Sequence, residues 1–223
     1  MKTILVFGTS VTYGAWDQEG GWVQRLRKYV DQNFIKKKGE EFLIYNLGVG
    51  GNTSKDILER IEPEAKERLK DLEEDGKIIG EVITILSFGK NDCLINNTTK
   101  ENWFSLEDFG SNLKKIIYIS KGYSNKLVFV GNGMVDENLV DPMRWEGFEQ
   151  ESWSYKNEII EKYEEKIKEV CKKNKIPFID VTRKFKELDY KKLLHDGIHP
   201  NSEGHKLIFE IVKSQLIKEK IIS

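Results

Sequence analysis

Ser10 follows closely on an apolar run at one end of the chain, and Asp196 stands three residues ahead of His199 near the other. These residue types at these spacings suit acyl transfer. A serine hydroxyl is a poor nucleophile until a base takes its proton, and imidazole is the side chain best suited to do so near neutral pH. The imidazole needs a carboxylate that fixes its tautomer and stabilises the imidazolium formed during reaction. Gly197 lies between Asp196 and His199, so one bending loop can carry both. The tetrahedral oxyanion then requires preorganised donors. The backbone N–H groups of Ser10 and Gly51 and the side-chain amide of Asn91 are the candidates.

Each piece also has an ordinary reading. A serine after a strand often caps a helix, Gly50-Gly51 suits a tight turn, and Asn91-Asp92 an Asx-turn. Joint occurrence at the ends of successive strands favours chemistry, so the elements matter. Apolar runs at Ile4–Phe7, Phe42–Leu47, Val82–Phe88, Leu127–Val130 and Pro177–Val181 predict parallel strands covered on both faces. Helical periodicity fills the gaps: Trp22, Leu26, Tyr29 and Val30; Leu113, Ile116 and Ile117; a long stripe from Tyr155 through Ile160, Tyr163 and Ile167 to Cys171; and Leu207 to Leu216. A further helix around Ile57, Leu58 and Ile61 is expected to kink or restart at Pro63. Alternating strands and helices predict an α/β fold, with a five-stranded parallel sheet between helix layers.

In such sheets ligands bind beyond the carboxyl ends of the strands. Ser10 follows the first run, Gly51 the second, Asn91 the third, and the Asp196–His199 loop comes after the fifth. Together they are the parts of an acyl-transfer site. Two stretches, about 132–152 and 182–199, are too long for simple connections and are expected to be functional loops.

With 36 basic and 37 acidic residues, the chain has no general pull toward nucleic acid or an anionic membrane. The short Lys runs read as solvated helix ends. Ile4–Phe7 is too short for a signal-peptide core or a membrane span, so a cytoplasmic location without stable membrane insertion is expected. Cys93 and Cys171 fit no metal spacing and read as free buried thiols. No linker or composition shift divides the chain, so residues 1–223 are expected to form one domain. Oligomeric state is not legible.

The residues resemble the SGNH hydrolases, also called GDSL-type esterases and lipases. The family's nucleophile block corresponds to Gly8–Ser10, its strand-two glycine to Gly51, its Gly-x-Asn-Asp block to Gly89–Asp92, and its closing Asp-x-x-His to Asp196–His199. The segment Asp17–Val23 is similar to that of small bacterial intracellular members. The resemblance implies a flavodoxin-like three-layer α/β/α fold, a catalytic Ser10–His199–Asp196 triad, a small acyl ester as substrate, and no metal or organic cofactor. It also favours Gly51 over Gly50 as oxyanion donor. One position departs: Thr9 stands where the family usually has Asp, which removes a charge beside the nucleophile.

The α/β-hydrolases share the order Ser, Asp, His, but their Gly-x-Ser-x-Gly elbow would require Gly where this chain has Thr12. A metal-dependent hydrolase using His195, Asp196, His199 and His205 is a rival reading, as is a binding module that keeps only the fold. Trp145, Phe148 and Trp153 either line an acyl or sugar pocket or pack the 132–152 segment onto the core. Short-chain esters, acetylated sugars, lysophospholipids and acyl thioesters all remain open as substrates.

Overall fold

The computed structural model describes residues 1–75, 77–143 and 153–222. The five apolar runs form strands β1 (Lys2–Gly8), β2 (Phe42–Gly48), β3 (Glu81–Ser87), β4 (Lys126–Val130) and β5 (Phe178–Ile179). All neighbours pair in parallel, in the order β2-β1-β3-β4-β5. That order is the flavodoxin-like arrangement, whose ligand crevice opens where the chain switches direction, between β1 and β3. Gly8 at the end of β1 stands opposite both Gly48 and Ser87, so the first three strands end level with one another. The segments that follow them therefore start from one line.

Alternation along the strands explains the layers. Leu5 and Phe7 of β1 join a core built on α3 (Ser54–Leu69), α4 (Leu106–Lys121) and α5 (Asn157–Asn174). Ile4 and Val6 face the other way, into a core shared with α2 (Gly21–Val30), α6 (Val181–Lys186) and α7 (Ser202–Lys218). The single turn α1 (Ser10–Tyr13) follows β1 directly. Among the described residues, no helix is long and apolar enough to cross a membrane. Cys93 and Cys171 are free and buried.

The structure corrects four local expectations. Helix α3 runs through Pro63 without a break. Pro63 and Glu59, whose carbonyl loses its usual donor, are both exposed, so water can take that donor's place. The last strand is only two residues long, because Asp180 leaves the ladder to cap α6 by accepting the Arg183 N–H at 2.9 Å. The 182–199 segment is accordingly not a loop throughout but carries most of α6 and a 3₁₀ turn over Tyr190–Leu193. Tyr155 lies ahead of α5 and does not belong to its apolar stripe.

Candidate active site

Ser10 opens α1, with Thr9 at the preceding cap position. Its hydroxyl is 2.9 Å from His199 Nε2, and His199 Nδ1 is 2.7 Å from Asp196 Oδ2. The closing loop holds this geometry through its own backbone. Asp196 Oδ1 accepts the N–H groups of Ile198 at 3.0 Å and His199 at 2.8 Å, an Asx-type turn. Gly197 takes φ 90°, a left-handed conformation that a side chain would resist. Partial burial pushes the Asp196 carboxyl up, but the His199 contact and the two backbone donors outweigh it and hold the group well below the usual carboxylate range. Asp196 therefore stays anionic beside the imidazole.

Asn91 begins the turn after β3. Its Nδ2 donates to the Asn52 carbonyl at 2.8 Å, while its Oδ1 accepts from the Tyr155 hydroxyl at 3.1 Å. The two contacts fix which way the amide faces and leave one Nδ2 hydrogen uncommitted on a residue that lines the cleft beside Ser10. Gly51 has φ 75° and open space where a Cβ would stand, so only glycine fits this turn comfortably and its backbone is approachable.

Asp92, the next residue, is fully buried and has a different task. Both its oxygens accept the Ser54 N–H, at 2.9 and 3.0 Å, which ties the β3 turn to the start of α3 beyond the Gly50-Gly51 loop. Burial raises its carboxyl to about 6. A raised folded-state value means that the native state binds the proton more tightly, so stability tied to this group is present in acid and declines as pH rises through about 6. Wild type should thus gain about 1 kcal/mol over Asp92→Asn between pH 7 and pH 5. Denaturant titrations of both proteins at the two pH values check this, and a constant difference would contradict it.

Below Ser10 lies a small cavity of about 20 Å³, bordered by Thr9, Ser87, Lys90 and Asn132. The Lys90 ammonium is buried and donates to the Ile198 carbonyl at 3.4 Å, in the loop between Asp196 and His199. Burial lowers its proton affinity, to a value of about 8. Thr9 thus borders a buried cation.

Above Ser10 a cleft of about 920 Å³ opens, walled by Tyr13, Trp16, Val49, Leu94, Trp103 and Tyr155. Trp103 stacks on Trp153 with centroids 4.9 Å apart. Trp153 therefore supports the cleft wall, while Trp145 and Phe148 lie outside the described residues. Neither remaining histidine joins His199. His195 turns its ring to Trp16, and His205 is buried with Nε2 3.3 Å from the Ala15 carbonyl. Among the described residues no three His, Cys, Asp or Glu side chains gather as a metal site, so the metal rival lacks its ligand set.

Three residues at this site escape sequence reading. Tyr155 reads as helix stripe, Lys90 is only a spacer within the Gly89–Asp92 block, and Trp16 carries no local signal at all. The nearest signal is the segment that begins at Asp17. Its buried carboxylate accepts the Glu19 and Gly21 N–H groups at 3.1 and 3.0 Å and pairs with Arg25, fixing the loop that carries Trp16. Burial pulls Asp17 upward, but the Arg25 contact, the Glu19 N–H and Ser202 together outweigh it and bring the group down to about 2.

The chain is similar in sequence and in fold to known proteins. A GDSL esterase/lipase of Arabidopsis thaliana is 24% identical, covering 99% of this chain and 88% of that protein. The isoamyl acetate-hydrolyzing esterase of Saccharomyces cerevisiae is 23% identical over 94% of this chain and 83% of its own length. In fold, the chain is similar to a lipase/acylhydrolase from Enterococcus faecalis (TM-score 0.69, 21% identity, 97% and 95% of the two chains). It is likewise similar to Axe2, an acetylxylan esterase from Geobacillus stearothermophilus (TM-score 0.69, 16% identity, 96% and 93%). The profile of the GDSL-like Lipase/Acylhydrolase family matches residues 6–207, nearly the whole chain, and the protein belongs to that family of esterase-type hydrolases.

Proposed function

We propose that the protein hydrolyses a small carboxylic ester through an acyl-enzyme on Ser10. The observation that carries this reading is the unbroken chain from Ser10 Oγ to His199 Nε2 at 2.9 Å and from His199 Nδ1 to Asp196 Oδ2 at 2.7 Å. Neutral His199 takes the Ser10 proton as the oxygen attacks the ester carbonyl. The oxyanion is received by the N–H groups of Ser10 and Gly51 and by the free Nδ2 hydrogen of Asn91. His199 then passes its proton to the departing alcohol, and Asp196 stabilises the imidazolium in between. A water molecule, deprotonated by His199, attacks the acyl-enzyme and restores Ser10.

Two of the similar proteins are named for acetyl esters, isoamyl acetate and acetylxylan, which favours a short acyl group here. An organophosphonate probe should label Ser10, and nitrophenyl esters should be cleaved faster as the acyl chain shortens toward acetyl. An unlabelled Ser10 would leave the binding-module reading in its place.

Thr9 fits the catalytic reading. A carboxylate at position 9 would border the same cavity as the Lys90 ammonium, which offsets the cost of burying it. Thr9→Asp should therefore keep the fold and leave kcat/KM within about tenfold of wild type. If wild type were inert and Thr9→Asp active on the same acetyl ester, Thr9 would be a disabling change.

A further inference from the structure

We propose that Trp16 is a positioning residue of the catalytic triad: its indole N–H fixes the Asp196 carboxylate while its ring walls the substrate cleft. The inference rests on the Ser10–His199–Asp196 reading. Trp16 Nε1 lies 2.9 Å from Asp196 Oδ2 and 3.1 Å from His199 Nδ1. In the catalytic tautomer Nδ1 carries the hydrogen given to Asp196, so it has no lone pair to offer and the indole bond goes to the carboxylate. Among the described residues Asp196 then receives four donors: the N–H groups of Ile198 and His199 on Oδ1, and His199 Nδ1 and Trp16 Nε1 on Oδ2. Only Trp16 comes from outside the closing loop.

Neither burial nor backbone preference accounts for a tryptophan here. The side chain is 61% exposed, and its backbone stands at φ 65°, a left-handed conformation unfavourable for a residue of this size. Both flanking residues are tied down: His205 Nε2 meets the Ala15 carbonyl, and the Asp17 carboxylate holds the start of α2. The ring meets His199 edge-on with centroids 6.0 Å apart. It covers Oδ2 of a carboxylate whose side chain is 37% exposed, and its ring lines the cleft where bound substrate would rest. Substrate and triad thus share one aromatic plate.

Trp16→Phe keeps a ring and removes the donor. Its kcat on a short acetyl ester should fall roughly tenfold, with KM and melting temperature little changed. The low-field proton resonance of His199 Nδ1–H should also move, because the carboxylate that accepts it has lost a competing donor. A kcat within twofold of wild type, an unmoved resonance, or a loss confined to KM would each overturn the proposal. Should Trp16→Phe fold poorly, Asp196→Asn supplies the second measurement: one indole N–H resonance must shift, and none shifting overturns the assignment. Ser10→Ala separates the two levels. If it stays active, the triad reading itself has failed; if it is inert while Trp16→Phe turns over normally, only the role of Trp16 has.

Discussion

Ser10→Ala should lower kcat/KM on an activated ester by about three to six orders of magnitude while the melting temperature stays near that of wild type. The size follows from the role: without Oγ no acyl-enzyme forms, and only substrate binding and the oxyanion donors remain to assist water. The structural cost should be slight. Ser10 is the first residue of α1 and not its cap, and the hydroxyl's hydrogen-bond partner is His199 Nε2. Alanine suits a helical position at least as well as serine. Steady-state kinetics with a nitrophenyl ester, paired with a thermal melt, test this. Retention of a tenth of wild-type turnover would sink the serine mechanism. Loss of both activity and folding would instead mean that the hydroxyl holds the β1 turn in place.

What the sequence could reveal divides by the range of the interaction. Strand runs and helix stripes are local patterns, and they locate the layers because a parallel sheet buries both faces of β1, β3 and β4. The Asp196-Gly197-Ile198-His199 spacing is also local, since the carboxylate braces its own loop through two neighbouring N–H groups. Asp92 is half legible: its place beside Asn91 is visible in sequence, but its bond to the Ser54 N–H spans two strands. Trp16 meets Asp196 across 180 residues and Tyr155 meets Asn91 across 64, and no spacing rule reaches so far. Pro63 and Asp180 mislead for the opposite reason. At Pro63 the breaking tendency is tolerated by an exposed helix face, and at Asp180 the apolar run hides a residue whose own preference is to cap a helix.

Asn91→Ala should lower kcat by roughly a hundredfold to a thousandfold with KM little changed, the loss expected for one oxyanion donor. The amide has two hydrogens on Nδ2, and one is already committed to the Asn52 carbonyl at 2.8 Å. The other is the one available to charge developing on the ester oxygen. A donor held in advance strengthens as that charge grows, so its removal acts on the transition state more than on bound substrate. The amide's orientation depends on the Tyr155 hydroxyl, which donates to Oδ1 at 3.1 Å from a buried position. Tyr155→Phe should therefore lower kcat in the same sense but by a smaller factor, because the Asn52 contact still restrains the amide. Asn91→Ala also frees that Asn52 carbonyl, so circular dichroism and a thermal melt must accompany the kinetics to show that the Gly51 turn survives. With the fold intact, a change confined to KM would assign Asn91 to substrate binding. The oxyanion would then have only the backbone donors of Ser10 and Gly51, and Tyr155→Phe should leave kcat untouched.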